Sequence, residues 1–182
     1  MRGLGEGRLA LGTSRGRARL ALGLLLALAL LASLLPAPSG AGSSLPIAHI
    51  SRVERTIVRC TNGARRAHGL RPLRRNHVLR HAATYHARNM LRYRFFSHRD
   101  VFGQSPVDRV SRFARRGAFH WIGENIAVGY WSPHDACRAW MGSPEHRANI
   151  LSARFSMTGV GYARGAGGRT YYVQDFGSPR HR

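Results

Sequence analysis

The chain has 182 residues and a formal charge of +21, and every basic side chain is Arg rather than Lys. The length fits a leader followed by one domain of about 140 residues, which is large enough to bury roughly two-thirds of its unfolded surface. There is no internal repeat, and outside the N-terminal segment no stretch is long and apolar enough to cross a membrane.

The N-terminal segment has the layout of a secretory signal peptide. Basic residues from Arg2 to Arg19 precede an apolar run at 20–35, and small residues suited to cleavage lead up to Ala41. The alternative is an uncleaved membrane anchor, because a run of this length approaches what a bilayer requires. We therefore predict a secreted protein with a signal peptide at 1–41, a linker at 42–50, a domain at 51–178 and a basic tail at 179–182.

Export changes what the charge predicts. Removing residues 1–41 takes away five Arg and one Glu and leaves a charge of +17. Outside the cell this charge favours anionic lipids or acidic envelope polymers as partners, and no nucleic acid. The alternative is a solvated surface whose Arg content reflects GC-rich coding alone. We expect the protein to be a monomer.

The first predicted helix begins at Ser51, where Glu54 completes a capping-box pattern. Apolar residues then recur at helical spacing, and Cys60 is among them. Cys137 lies on the apolar side of a later helix, which Ser132 and the following Pro cap. In an exported chain this pair predicts a disulfide between Cys60 and Cys137, with two free buried thiols as the alternative.

Two more helices are predicted before residue 117. Asn76 caps the first of them, which has one apolar face on which His86 is a packing residue. Ser105 caps the second, with Pro106 at its first position. The buried stripe expected for this second helix consists of Val107, Val110 and Phe113 or Ala114.

The C-terminal half is predicted to form strands. Residues 119–129 alternate as a strand does, and Gly123 marks a bulge or a close backbone approach. Residues 157–165 and 170–177 flank a Gly-rich turn and predict a hairpin. Because helices come early and strands late, we predict an α+β domain with a small antiparallel sheet sandwiched by helices.

Four polar residues are the candidates for chemistry: His98, Glu124, Glu145 and His146. Glu124 lies between two isoleucines on a predicted strand, where a carboxylate is costly unless it is paired or hydrogen-bonded. Imidazole and carboxylate suit zinc, so His98, Glu124 and His146 are candidate metal ligands that leave room for water. The alternative is that the histidines are core residues and that Glu124 orders the loop backbone.

The familiar catalytic motifs are missing. The sequence has no GxSxG elbow, Walker loop, HExxH helix or CxxC pair. The signatures of common nucleophile, phosphate and structural-zinc sites are therefore absent, and most enzyme classes lose support.

Several motifs together resemble one family. FFSH at 95–98, GENIA at 123–127 and SPEHRANIL at 143–151 resemble, in order and spacing, the bacterial branch of the CAP superfamily. This superfamily, also described by its SCP-like extracellular domain, contains cysteine-rich secretory proteins, antigen 5 and pathogenesis-related 1 proteins. The resemblance runs from about 51 to 177, and it implies an αβα sandwich with a cleft that can hold a divalent cation.

The resemblance also assigns the candidate residues. His98 and His146 are similar to the two histidines of the family's cleft, and Glu124 is similar to its first glutamate. The second glutamate of eukaryotic relatives follows a Trp, whereas here Trp140 is followed by Met-Gly-Ser-Pro. Glu145 is either a substitute carboxylate at the metal site or a first-turn residue that favours the helix dipole, and we favour the second reading.

The resemblance implies binding rather than a defined reaction. We expect a secreted module for a lipid, glycan or cell-envelope ligand, with Zn²⁺ or another divalent cation in the cleft or with no cofactor. The alternative is a zinc-dependent hydrolase of an extracellular amide or ester, in which Glu124 is the general base for a zinc-bound water.

Overall fold

The computed structural model describes residues 47–115 and 117–180. The predicted signal peptide and residues 181–182 of the predicted tail lie outside this part of the chain. Within it, no helix is long and apolar enough to cross a membrane. The elements in chain order are α1 (Ile47–Ala67), β1 (Arg74–Arg75), α2 (His77–Tyr93), α3 (Pro106–Ser111), β2 (Phe119–Val128), α4 (Pro133–Gly142), α5 (Pro144–Leu151), β3 (Met157–Arg164) and β4 (Thr170–Pro179).

The four strands of the described residues form one sheet in the order β1-β3-β4-β2. β3 and β4 form the predicted hairpin, and β2 pairs antiparallel with the other side of β4. β1 runs parallel to β3, so the sheet is mixed at this edge rather than purely antiparallel. β1 has only two residues, which are too few to show the alternating pattern by which a strand is predicted from sequence. β2 forms the opposite edge of the sheet.

Helices cover both faces of the sheet. α2 packs on β3 and β4, while α1, α4 and α5 pack against one another over the opposite face. Side chains alternate along a strand, so Gly161 lies against Ala83 of α2 whereas Val160 joins the core cluster that contains Ile57 of α1. The predicted α+β fold, an αβα sandwich, is confirmed.

The start of α1 differs from the prediction. The helix begins at Ile47, within the segment predicted to be a linker. Ser51 therefore lies inside the helix, and the capping-box interpretation of Ser51 and Glu54 is wrong. Glu54 is buried instead, and burial raises its pKa against the opposing effect of the Arg80 and Arg75 charges.

The predicted caps of α2 and α3 are confirmed. The Asn76 side chain accepts a hydrogen bond from the Leu79 N–H, and Ser105 forms a capping box with Asp108. These caps satisfy N–H groups that a helix start would otherwise leave unpaired.

The buried face of α3 is not the predicted one. Val110 is buried and the alternative Ala114 is half-buried, but Val107 and Phe113 are 55% and 39% exposed. Arg109 is fully buried in their place. A guanidinium in the interior requires partners, and these lie in the candidate site described below.

Cys60 of α1 and Cys137 of α4 form a disulfide, as predicted. It links two helices that pack together on one face of the sheet. The cysteines are 77 residues apart, and for a loop of this length the chain-entropy model gives a stabilisation of about 4 to 5 kcal/mol.

Candidate functional site

The candidate site lies at β2, the edge strand, where segments from both helical layers meet. Glu124 and Asn125 are neighbours on β2 and therefore face opposite sides of the sheet. Glu124 is on the side of α3, and the Asn125 side chain donates a hydrogen bond to the carbonyl oxygen of His146 in α5. Gly123 confirms the predicted close approach, because a Cβ there would lie 2.7 Å from Phe155. The irregularity of β2 lies elsewhere, between Phe119 and Trp121.

Glu124 is the centre of a chain of charged and polar contacts. Its Oε1 lies 2.7 Å from Nδ1 of His98, and its Oε2 accepts a hydrogen bond of 2.5 Å from Arg109. The Glu124 side chain is only 1% exposed, whereas that of His98 is 52% exposed. A buried carboxylate thus holds an imidazole that faces solvent. The expectation that Glu124 is paired is met by this geometry.

Arg109 was missed by sequence reasoning. Besides Glu124, its guanidinium donates to the carbonyl oxygens of His98 at 2.9 Å and Gln104 at 2.8 Å. It therefore fixes the loop that carries His98 as well as the acid that contacts it. The sequence feature that could have pointed to Arg109 was Glu124, because a buried Glu requires a cationic partner. In a chain with so many Arg residues, however, the sequence did not show which Arg this partner is.

His86 also contacts the loop that carries His98, from the interior of the domain. It is fully buried, and its Nε2 lies 2.9 Å from the carbonyl oxygen of Ser97. Burial lowers the pKa of His86, and the nearby Glu124 charge opposes that effect. A neutral ring that donates from Nε2 to Ser97 fits this arrangement, so the 3.9 Å approach to Glu124 is not an ion pair. The prediction that His86 is a packing residue is confirmed.

His146 reaches the same edge from the other helical layer. It lies in the first turn of α5, with Nδ1 2.8 Å from the hydroxyl of Ser143. Burial lowers the pKa of His146, and the His98 charge lowers it further. The Asn149 side chain donates to the Glu124 carbonyl oxygen and to the Asn125 side chain, which ties α5 to β2.

Glu145 is exposed in the first acidic position of α5. This placement suits an interaction with the positive end of the helix dipole. Its charge raises the pKa of the neighbouring His146, against the larger effects of burial and His98. Glu145 makes no hydrogen bond to the other candidate residues in the described part of the chain, and its role as a metal ligand stays a prediction.

Asp175 is a second residue that the sequence did not single out. It stands directly opposite Glu124 in the register of β2 and β4, and it is 1% exposed. Apart from its contact with the Glu124 carboxyl group, neither of its carboxyl oxygens has a hydrogen-bond partner among the described residues. Burial, and then the Glu124 charge, raise the pKa of Asp175 well above its usual range. The site therefore contains two adjacent acids and one buried guanidinium.

Whether a metal ion fits the site depends on which nitrogen and oxygen atoms are not already engaged in hydrogen bonds within the protein. Among residues 47–115 and 117–180, no three His, Cys, Asp or Glu side chains are grouped so as to hold a metal ion. Both Glu124 oxygens are occupied, and Nδ1 is occupied in both His98 and His146. The atoms suited to a cation are therefore the two Nε2 atoms, with Glu124 as the carboxylate that orients His98.

Comparison with known proteins gives the family. A family model described as the cysteine-rich secretory protein family, CAP, matches residues 58–176. YkwD of Bacillus subtilis is 35% identical over 113 residues, which are 62% of this chain and 43% of YkwD. The membrane protein YlbC of the same organism is 32% identical over 123 residues, which are 68% of this chain and 34% of YlbC. The chain thus spans less than half the length of these curated relatives.

Solved structures agree on the fold. An extracellular protein of Bacillus anthracis with an SCP domain superposes with a TM-score of 0.64 at 26% identity, covering 81% of this chain and 45% of that one. An outer surface protein of Borrelia burgdorferi gives a TM-score of 0.64 at 20% identity, covering 69% and 92%. The family match extends over most of the described residues and includes Glu124 and His146, and the protein belongs to the CAP family of cysteine-rich secretory proteins.

Proposed function

We propose that the protein is an extracellular binding module that takes a cell-envelope ligand, such as a lipid or glycan, at the edge formed by His98, Glu124 and His146. The predicted signal peptide and the disulfide between Cys60 and Cys137 support an extracellular location. So does the similarity to an SCP-domain protein described as extracellular. The CAP domain itself defines no reaction, so the argument rests on the site.

One observation carries this proposal: the chain of contacts from Arg109 through Glu124 to His98. Arg109 neutralises Glu124, and both carboxylate oxygens already accept hydrogen bonds. Such a carboxylate is a weak general base, but it is well suited to holding an imidazole in one orientation. His98 is half exposed and held from behind, which is the arrangement of a group that contacts a ligand.

A divalent cation is part of the proposal. His98 and His146 would hold it through Nε2, and bound zinc would supply a Lewis acid with open positions for a ligand atom or water. A zinc-dependent hydrolase is the second candidate, because His98 and His146 are close enough for the His98 charge to lower the pKa of His146. Binding is favoured over hydrolysis because Glu124 is committed to Arg109 and His98.

Zinc titration of the mature protein tests the histidine pair. We expect zinc affinity to fall by about tenfold or more in His98→Ala and in His146→Ala. It should also fall in the wild type as pH drops, because the rings must be neutral to bind zinc, and for His146, whose pKa is lowered by burial, the loss should extend below the ordinary imidazole value of about 6.5. Stability without metal should change by about 1 kcal/mol or less in either variant. His77→Ala is the matched control, since His77 is an exposed histidine away from the site. Calorimetric titration at two pH values gives both readouts.

The opposite outcomes are equally clear. A wild type that takes up no zinc near neutral pH, or histidine variants that fail to fold, would make His98 and His146 structural residues. Hydrolysis of a model ester that requires zinc and disappears in Glu124→Gln would favour the hydrolase.

Because Glu124→Gln leaves Arg109 buried without its anion, that variant should also lose about 3 to 5 kcal/mol of stability, measured by denaturant unfolding.

A further inference from the structure

We propose that a groove on the outer face of α2, distinct from the histidine edge, binds the phosphate groups of a phosphodiester polymer. We call it the arginine groove. It has a volume of about 510 Å³ and is lined by His81, Thr84, Tyr85, Arg88, Asn89, Arg92 and Phe113. This proposal goes beyond the binding function of the histidine edge and does not depend on it.

The groove follows from helical spacing. His81, Tyr85, Arg88 and Arg92 recur at intervals of three or four residues, so they form one stripe along α2. Phe113, just after α3, stacks on His81 with ring centroids 5.8 Å apart and forms the opposite wall. The predicted burial of Phe113 failed for this reason: its ring faces the groove and not the core.

The charge of the groove has one sign. Arg88 and Arg92 are exposed one turn apart, about 6 Å along the helix axis, and like charges at this spacing repel. The Arg112 guanidinium lies over the Tyr85 ring at 4.8 Å and adds a third cation at the border. No carboxylate is among the residues that line the groove. Within the described residues Arg88 has no salt bridge, so its charge is available to an anion.

Asn89 is an independent sign of a missing partner. It lines the groove, is only 8% exposed, and its Nδ2 has no hydrogen-bond partner in the described part of the chain. A buried amide donor is normally paired with an acceptor. An anionic oxygen bound between Arg88 and Arg92 would supply an acceptor on the same face of the helix.

The chemistry of the groove favours phosphate over other ligands. Guanidinium groups bind phosphate oxygens in a bidentate manner, and two of them one turn apart suit successive anionic groups of a chain. Tyr85 and Phe113 offer apolar surface to the carbon units between phosphates. A membrane surface fits less well, because the groove is concave and an interfacial segment would instead present a wide apolar face.

Binding of a glycerol phosphate oligomer tests the proposal. The double variant Arg88→Ala with Arg92→Ala should lose about tenfold or more in affinity, because each guanidinium makes charge-assisted hydrogen bonds to phosphate. The matched control is Arg52→Ala with Arg59→Ala, which removes the same charge from exposed positions of α1. Equal losses in the two double variants would reduce the effect to the overall field and overturn the proposal.

Further arms separate the remaining possibilities. Asn89→Leu should weaken oligomer binding without lowering stability, whereas a structural Asn89 would give an unstable variant with unchanged affinity. Inorganic phosphate should bind more weakly than the oligomer. Vesicles of phosphatidylglycerol that bind more tightly than the oligomer, and depend on Arg88 and Arg92, would assign the groove to a lipid surface instead. His98→Ala should leave oligomer binding unchanged, so failure of the histidine edge and failure of the groove are distinguishable.

Discussion

Asp175 and Glu124 place two carboxyl groups side by side in the interior, next to the single guanidinium of Arg109. One cation offsets one negative charge, and Arg109 bonds to Glu124. A second negative charge would be buried without compensation, so Asp175 retains its proton. The raised pKa of Asp175 has this cause, with burial as the largest contribution and the Glu124 charge next.

Asp175→Asn therefore tests a buried, protonated acid. An unfolded Asp releases its proton near pH 4, whereas the folded protein holds it to higher pH. The stability contributed by this difference is fully present below about pH 4 and is lost as pH rises toward the folded-state pKa. Asn is neutral at every pH, so the variant should match the wild type near pH 4 and have the higher melting temperature at pH 7. Thermal unfolding at the two pH values measures this.

Asp100→Asn is the control for Asp175→Asn. Asp100 is also buried, but its carboxylate accepts backbone hydrogen bonds from Phe102 and Gln104. Its replacement should cost about 1 to 2 kcal/mol at neutral pH, since the amide oxygen of Asn can still accept both bonds but lacks the charge that strengthens them. A melting temperature of Asp175→Asn below that of the wild type at pH 7 would mean that Asp175 is ionised and shares Arg109.

The sequence predicted some of the buried charged residues of the domain but not their partners. The cost of an acid between isoleucines identified Glu124, but nothing in a chain with so many Arg residues selected Arg109 as its partner. Arg65 shows the same limit, because this fully buried side chain donates to four backbone carbonyls and to no acid. Such carbonyls leave no trace in the sequence, whereas local caps such as Asn76 depend on adjacent residues and are readable.

Packing between elements depends on two glycines of β3. A Cβ at Gly159 would lie 2.0 Å from the Arg80 backbone nitrogen, and one at Gly161 would lie 2.2 Å from the Ala83 carbonyl carbon. Neither glycine has a positive φ, so the requirement is space rather than backbone conformation. α2 therefore sits against β3 at a distance that side chains would forbid, which also sets the position of the arginine groove on its outer face.

Gly161→Ala should be strongly destabilising for this reason. The methyl group meets backbone atoms, which cannot rotate away, so α2 must move off the sheet at a cost of about 3 kcal/mol or more. Gly167→Ala in the hairpin turn is the control, because a Cβ there meets nothing within 4 Å. It should change stability by about 0.5 kcal/mol or less. Denaturant unfolding of both variants measures the difference in stability. Equal stabilities would show that α2 can move away from β3 at little cost, which would contradict the prediction.

Elements were predictable where their signals are local. The caps of α2 and α3, the helix after Ser132 and the β3–β4 hairpin are confirmed because each depends on a few neighbouring residues. The start of α1, the two-residue β1 and the exposed side of α3 depend on tertiary packing, and the sequence pattern did not specify them. The helix that carries His146 has a weak hydrophobic pattern, with Ile150 its buried residue, and the sequence indicated it only through Glu145 as a first-turn residue.

The whole domain presents more positive charge to solvent than its composition indicates. Of the seven acidic residues after position 41, four are buried: Glu54, Asp100, Glu124 and Asp175. These four acids are screened from solvent, and Asp175 is held in its protonated form, so they offset little of the Arg charge at the surface. The acidic residues left at or near the surface are Asp108, Asp135 and Glu145, and Asp135 is engaged with Ser132 and Arg138. An outer surface of this kind attracts polyanions of any type through its field.

That field should make general binding to acidic partners sensitive to salt. The Debye length falls from about 30 Å at 0.01 M to about 8 Å at 0.15 M ionic strength, so attraction between dispersed Arg residues and polyglutamate should be mostly lost over this range. Sedimentation with anionic vesicles should show the same loss. Trp131 is 94% exposed and supplies the comparison, because an aromatic anchor in the bilayer would resist salt. Vesicle binding that persists at physiological salt and disappears in Trp131→Ala would contradict an electrostatic origin, whereas binding that fades equally in both proteins supports it.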